Sequence, residues 1–241
     1  MLKTNTTKKI CIILIVSMLF CILPVSAFAE ENSTVTSGSC GENTTWQFDS
    51  ATGTLTITGN GDMDDYLLEE KPWGDYIQKI EKVVIEDGVT SVGRDAFDNA
   101  TELKNVSLAS TVRSINYGAF SGCRQLKEIT IPESVTTIES GAFAITGLTS
   151  ITIPAITELK YREDSGAGYT FYACHDLKNI YVDENSILYS SRDGVLYSKD
   201  GTELLCYPAG KTASEFVIPN HVTHIANESI DSCDSLERLV L

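Results

Sequence analysis

Residues 97–143 read FDNATELKNVSLASTVRSINYGAFSGCRQLKEITIPESVTTIESGAF, and this stretch decides the fold. Its apolar positions repeat after 23 residues, because two consecutive series of apolar residues follow the same steps. The first series is Phe97, Ala100, Leu103, Val106, Leu108, Val112, Ile115, Ala119 and Phe120. The second series is Phe120, Cys123, Leu126, Ile129, Ile131, Val135, Ile138, Ala142 and Phe143. A strict repeat of this length indicates a solenoid, in which each unit forms one coil and contacts only its neighbours.

The centre of each unit is a short L-x-x-I-x-I core, which is typical of leucine-rich repeats with periods of about 20–29 residues. Two apolar residues spaced by two mark the strand of each unit, since alternate side chains of a strand share a face. Seven such pairs predict seven strands in one parallel stack, and the fold class is therefore a β-rich solenoid of leucine-rich repeats. The pairs are Val83/Ile85, Val106/Leu108, Ile129/Ile131, Ile151/Ile153, Ile180/Val182, Phe216/Ile218 and Leu239/Leu241.

A column of large apolar residues is expected to fill the side of each coil that lies opposite the strands. The column consists of Phe97, Phe120, Phe143 and Phe171 and ends with Ile230. Each member recurs at the same position of its unit.

Two units are longer than the others, and the extra residues predict insertions at 160–169 and 186–213. The second insertion contains Asp193-Gly194 and Asp200-Gly201, each between β-prone segments. Asp-Gly between such segments is a strong hairpin signal. We therefore expect an inserted antiparallel meander that protrudes from the solenoid. Insertions in repeat proteins lie on loops and often carry recognition.

The N-terminus has the features of a secretory signal. Basic residues precede an apolar run over 10–23, and Ala27-Phe28-Ala29 provides a small-x-small cleavage site. The run is short for a membrane span, which needs about 20 apolar residues. We therefore predict a cleaved signal peptide at 1–29, no membrane insertion after cleavage, and a Ser/Thr-rich tether at 30–39.

Residues 40–80 are predicted to form an N-terminal cap module, followed by the solenoid at 81–241. Alternating apolar residues at 45–48 and 54–58 predict a β-hairpin. Trp73, Tyr76, Ile77 and Ile80 have helical spacing after Pro72. Terminal units of a solenoid need a cap, and the apolar face of the hairpin can supply it. Trp46 and Trp73 are interpreted as cap core, with stacking on a sugar as the alternative.

The charge and the reactive residues exclude several classes of function. The formal charge is −15, with 18 basic and 33 acidic residues, which disfavours nucleic acid and anionic lipid as partners. The acidic loop at 62–65 does not match a calcium-hand pattern, although calcium binding stays an alternative to a simple acidic turn. His221 and His224 are interpreted as turn residues rather than metal ligands. No catalytic set, metal site or cofactor is predicted.

Three cysteines occupy the same position of their units, namely Cys123, Cys174 and Cys233. On the predicted strand order each lies about 9–10 Å from the next. A disulfide requires Cα atoms within about 7 Å. We interpret these residues as buried thiols.

Several short sequence motifs resemble the BspA-type leucine-rich repeat of bacterial surface proteins. They include IPESVTTI at 131–138 followed by Gly141-Ala142-Phe143, GAFSGC at 118–123 and DGVLY at 193–197. The resemblance covers almost everything after Ser37. It implies a secreted or cell-surface protein that takes part in adhesion or in recognition of host proteins. The alternative is a non-catalytic targeting module of a larger exported enzyme.

The binding residues are expected on the outward side of the strands, with protein or glycan as the partner. Short polar side chains there form a shallow ladder suited to an extended ligand, and Tyr181 is the best anchor because aromatic residues dominate binding hot spots. The two insertions contribute further tyrosines. The candidate residues are Ser107, Glu128, Thr130, Thr152, Asn179, Tyr181, Tyr161, Tyr169 and Tyr197.

The sequence ends on the seventh predicted strand, at Leu239-Val240-Leu241. An open strand edge exposes unpaired backbone groups that template association. We expect either a longer protein, with one more repeat or a capping segment, or self-association through this edge.

Overall fold

The computed structural model describes residues 34–67, 71–161 and 166–241. The predicted signal peptide and four residues of the first insertion lie outside the described residues. The described chain contains two 3-10 helices, Gly74–Lys79 and Ala167–Phe171. No helix in this part of the chain is long and apolar enough to cross a membrane.

Seventeen strands occur in the described residues, and most of them contain only two to four residues. They are β1 (Val35–Ser39), β2 (Thr44–Asp49), β3 (Thr54–Gly59), β4 (Lys82–Ile85), β5 (Ser91–Val92), β6 (Asn105–Leu108), β7 (Ser114–Ile115), β8 (Thr137–Glu139), β9 (Ser150–Ile153), β10 (Glu158–Lys160), β11 (Asn179–Val182), β12 (Tyr189–Arg192), β13 (Val195–Ser198), β14 (Glu203–Cys206), β15 (Glu215–Val217), β16 (His224–Ile225) and β17 (Arg238–Val240).

The first sheet joins the N-terminal segment to the repeats in the order β1-β2-β3-β4-β6. Strands β1, β2 and β3 pair antiparallel, whereas β3, β4 and β6 pair parallel. Trp46 and Phe48 alternate with exposed residues along β2, so their side of the hairpin is buried. Both tryptophans are inaccessible to a sugar, because Trp46 is 5% and Trp73 0% exposed.

The tether prediction was wrong for residues 35–39, because these residues form β1 on the edge of the hairpin. Gly38 permits this pairing: a Cβ at this position would lie 2.8 Å from Trp46 Nε1. The alternating small residues of this segment also allow the Thr36 hydroxyl to reach the Tyr76 hydroxyl, at 3.3 Å. A Ser/Thr-rich composition therefore did not distinguish a linker from an edge strand.

The predicted stack of seven parallel strands is interrupted twice. Strands β4 and β6 pair with each other, as do β9 and β11 and also β15 and β17, but these pairs belong to three separate sheets. Residues 129–131 form no strand. The next unit is also one residue shorter, because Ile153 follows Ile131 by 22 residues.

Two prolines explain the first interruption. After β6, the Ala109 N–H donates to the Ile85 carbonyl at 3.1 Å. Pro132 stands 23 residues later and has no N–H to donate, and Pro154 has none after β9. Residues 129–131 therefore lack the closing hydrogen bond of the ladder both toward β6 and toward β9.

A second parallel ladder, in the order β10-β8-β7-β5, forms the next corner of the coils. It buries a column of apolar residues, among them Val92, Ile115 and Ile138. These strands contain only two or three residues, which is too short for a period-two pattern to reveal them.

The aromatic column is confirmed, and it contains one more ring at its N-terminal end than predicted. Trp73 stacks on Phe97, and Phe97, Phe120, Phe143 and Phe171 follow with ring centroids 5.4–6.3 Å apart. The column does not end at Ile230. That residue packs in a separate cluster around Val195, Tyr197, Leu204 and Tyr207. The meander separates this cluster from the main core.

The meander at 186–213 exists but does not protrude, and this part of the prediction was wrong. Strands β12, β13 and β14 pair antiparallel, with Asp193 and Gly194 at positive φ in the first turn. Strand β14 also pairs parallel with β16, so the meander is part of the coil. The residues of β13 and β14 are mostly buried, because both are continuous apolar runs of the kind that strands covered on both faces require.

Candidate binding face

The outward side chains of the longer strands define one surface, which we call the strand face. Strand register places Lys82 beside Asn105 and Val84 beside Ser107. It likewise places Ser150 beside Asn179 and Thr152 beside Tyr181. Neighbouring side chains on paired strands lie about 5 Å apart, so these residues form ladders that a long ligand can follow.

The first interruption of the stack creates a shallow depression in the strand face. This polar groove has a volume of about 370 Å³ and is lined by the side chains of Asn105, Glu128, Thr130, Ser150 and Thr152. Among the described residues, the backbone N–H and C=O groups of 128–131 make no backbone hydrogen bond. Three of the candidate residues from the sequence, Glu128, Thr130 and Thr152, meet here, although the strand predicted to hold two of them does not form.

Tyr181 lies beside this groove with 49% of its surface exposed. Its register partner Thr152 belongs to the groove lining, which places the ring at the edge of the depression. Ser107 is also exposed and lies on the side of the groove toward β4. The strand face therefore combines one accessible aromatic ring with a polar depression.

The second interruption opens a larger cavity between β11 and β15, which we call the strand-face pocket. Its volume is about 530 Å³, and it extends from Lys178 and Asn179 across the meander to Lys211 and Phe216. Of these, only Asn179 was predicted from the sequence. Lys178 adjoins Asn179, whereas the lining residues from Asp193 to Val217 are distant along the chain, and the path of the meander brings them together.

Tyr161 and Tyr169 lie away from the strand face. Tyr161 is 53% exposed and lines a small depression with Tyr117 and Glu139, beside the second ladder. Tyr169 stacks on Tyr172 with ring centroids 5.3 Å apart. The candidates from the first insertion therefore belong to a different surface from Tyr181.

Tyr197 is only 2% exposed and packs in the cluster with Val195, Leu204 and Tyr207. Its inclusion among the contact residues was wrong, because a ligand cannot reach a ring buried inside the meander. The Tyr189 hydroxyl accepts a hydrogen bond from the Leu159 N–H at 3.0 Å. Tyr197 and Tyr189 of the meander therefore serve packing.

The reactive residues of the described chain are dispersed. No group of three or more His, Cys, Asp or Glu residues there could hold a metal ion. His221 and His224 have different partners, Arg192 and Glu203. In the acidic loop, Asp62 accepts a hydrogen bond from the Thr90 hydroxyl at 2.6 Å and Asp65 accepts one from the Arg94 N–H at 2.7 Å.

The cysteines of the described residues are all free thiols. Cys123 and Cys174 are fully buried, as expected, and their Sγ atoms donate to the carbonyls of Phe97 and Phe143. Burial raises the pKa of both thiols, which keeps them protonated and unreactive. Cys233 is partly exposed, and burial of the rest of the residue raises its pKa to about 11.

Comparison with known proteins identifies the repeats. The family model of the BspA type leucine rich repeat region matches residues 75–191 in 6 copies. This range contains the first repeats and ends within β12 of the meander. A search of curated proteins found no match.

Solved structures of bacterial leucine-rich repeat proteins are similar to the chain. A leucine-rich repeat protein from Eubacterium ventriosum is 26% identical, with a TM-score of 0.68 over 86% of this chain and 62% of that protein. A leucine rich cell surface protein from Faecalibacterium prausnitzii is 24% identical, with a TM-score of 0.53 over 88% and 73%. The pneumococcal vaccine antigen PcpA is 18% identical, with a TM-score of 0.54 over 82% and 62%. The last two likenesses concern the fold alone.

Proposed function

Because residues 75–191 belong to the BspA-type leucine-rich repeats, we propose that the chain is a secreted or cell-surface binding scaffold. Its strand face recognises an extended protein or glycan, and the biological role is adhesion. Residues 1–29 direct export, and the chain acts by binding rather than by catalysis. The F. prausnitzii relative is described as a cell surface protein, which supports this location.

The observation that carries the proposal is the arrangement of the strand face around the polar groove. Glu128, Thr130 and Thr152 line one depression, and Tyr181 lies beside it. Short polar side chains and unpaired backbone groups offer many hydrogen-bond donors and acceptors, while the exposed ring offers apolar contact area. Such a surface suits a ligand that has polar groups along its whole length.

The proposal is tested by screening the chain on arrays of glycans and matrix proteins, followed by titration of Tyr181→Ala against each ligand found. Truncation of a central aromatic anchor typically weakens binding about tenfold or more. Tyr161→Ala is the matched control, since Tyr161 is equally exposed but lies outside the strand face. We expect a loss for Tyr181→Ala and no change for Tyr161→Ala. The reverse result would move recognition to the first insertion.

A further inference from the structure

We propose that the strand-face pocket binds a monosaccharide that carries a carboxylate, as the terminal residue of an acidic glycan. This inference rests on the proposed function, because it names a ligand class for one part of the same face. The pocket is a product of the meander, which separates β11 from β15 where a regular solenoid would pair them. Its volume of about 530 Å³ lies in the range of small-ligand sites.

One wall of the pocket is apolar and aromatic. The rings of Tyr207 and Phe216 lie 4.6 Å apart, and Val217 adds an aliphatic side chain that is 56% exposed. The cluster behind the wall is buried, so the wall is held in place before a ligand arrives. The two rings are tilted by 46° and Tyr207 is buried, so Phe216 and Val217 form the accessible apolar surface, against which the C–H face of a pyranose ring can pack.

Two lysines supply positive charge at the pocket of an acidic protein. Lys178 and Lys211 both line the pocket, and Lys211 Nζ lies 6.0 Å from the centroid of the Tyr207 ring. The two lining residues with carboxylates are Asp193 and Glu215. The Glu215 carboxylate forms an ion pair with Arg238. The backbone carbonyl of Asp193 accepts a hydrogen bond from Lys211 Nζ at 2.5 Å. The lining therefore has two lysines and two carboxylates, one of which is neutralised by Arg238 from outside the pocket, whereas the whole chain carries −15. A charge-assisted hydrogen bond from a lysine favours a carboxylate ligand over a neutral one.

Polar side chains of the lining remain available to a ligand. Within the described residues, the side chains of Lys178, Asn179 and Thr212 make no hydrogen bond, although all three line the pocket. An amide and a hydroxyl beside an apolar wall match the alternating hydroxyls and C–H groups of a sugar.

The geometry favours a sugar over a peptide. An extended peptide binds a sheet by adding to a free strand edge. On the pocket side of β11, the Ile180 N–H already donates to the Gly194 carbonyl at 2.9 Å, and the Ile180 carbonyl accepts from the Ser191 hydroxyl. The meander therefore occupies the edge of β11, and of the two strands that border the pocket only β15 retains an edge to which a peptide can add.

The experiment titrates the whole chain with methyl glucuronide and N-acetylneuraminic acid, using methyl glucoside as the neutral probe and an acidic peptide as the alternative ligand. Heteronuclear NMR shifts report both affinity and location. We expect the two acidic sugars to shift the amides around residues 178–179 and 211–217. The neutral sugar should bind at least about tenfold more weakly, because it lacks the charged hydrogen bond.

Lys178→Gln is the decisive variant, because Lys178 is exposed and its loss leaves no buried group unpaired. We expect about tenfold weaker binding of the acidic sugars to this variant. The matched control is Lys82→Gln, an exposed lysine of β4 that lines neither depression of the strand face.

Three outcomes would overturn the inference: equal binding of neutral and acidic sugars, stronger binding of the peptide, or no shifts around the pocket. Each is distinguishable from a failure of the proposed function. A ligand from the array screen that depends on Tyr181 but not on Lys178 would retain the strand face as the binding surface and reject the acidic sugar alone.

Discussion

Phe120 shows how much a single residue contributes to the fold. Its ring lies between Phe97 and Phe143, with centroids 5.4 and 5.7 Å away, and it is fully buried. Phe120→Ala removes a ring from a stacked column that cannot close around the cavity. We expect the free energy of unfolding, measured with urea, to fall by about 3–5 kcal/mol.

Tyr181→Ala is the control for this substitution, because it truncates an aromatic side chain at the surface. We expect its free energy of unfolding to stay within about 0.5 kcal/mol of the wild type. A loss below about 1 kcal/mol for Phe120→Ala would contradict the account of the column.

Asp200 makes a turn of the meander sensitive to acid. Its carboxylate accepts hydrogen bonds from the Thr202 N–H and from the hydroxyls of Ser198 and Thr202. These bonds lower its pKa from 3.8 to about 2. Because the folded pKa is lower than the unfolded one, the stabilisation is present above pH 3.8 and is lost as the pH falls through about 2.

An NMR titration of the Asp200 carboxyl tests this prediction, with an expected midpoint near pH 2. Asp200→Asn removes the titrating group while retaining a side-chain oxygen. The variant should therefore lose the dependence of turn stability on pH in this range. A midpoint close to the ordinary value of 3.8 would show that the hydrogen bonds do not form in solution.

At the scale of single elements, Pro132 accounts for the missing strand at 129–131. An alanine at this position would have an N–H placed like that of Ala109, which donates to the Ile85 carbonyl. We expect Pro132→Ala to form the equivalent bond to the Leu108 carbonyl. Hydrogen exchange at residue 132 should then be as slow as at Ala109, whose amide in the same variant is the internal reference. Fast exchange at residue 132 would show that the shorter following unit prevents pairing.

The repeat period correctly predicted the positions of the buried columns, because burial of one face of each coil requires an apolar residue at the same position of every unit. It did not predict the breaks in the stack. The breaks arise because Pro132 and Pro154 cannot donate a backbone hydrogen bond to the neighbouring strand. This is a local property of two residues, and it does not change the period of the apolar residues. The position of β1 was missed for a related reason, since an edge strand of Ser, Thr and Gly has no apolar pattern.

The meander shows a further limit of sequence patterns. Its Asp-Gly turns predicted the hairpins correctly, whereas the burial of Tyr197 depends on tertiary packing against Leu204 and Tyr207. The strand-face pocket could not be predicted at all. Lys178 and Phe216 come together only because the meander fills the space between β11 and β15.

At the scale of the whole molecule, the described residues contain two apolar clusters, and the strand face extends past both. The main cluster includes the aromatic column, and the second cluster lies behind the strand-face pocket. Since repeat proteins distribute contacts between neighbouring units, the strand face retains its ladders even where the sheets are separate. This arrangement gives one long surface that includes the polar groove and the strand-face pocket.

The most direct test of the central claim is hydrogen–deuterium exchange of the chain with and without a ligand from the array screen. If the strand face is the binding surface, protection should appear in residues 105–108, 128–131, 150–153 and 179–182. The unpaired amides of 128–131 should change most, because they exchange freely without a ligand. Protection confined to 158–161 and 166–172, with none on the strand face, would contradict the account.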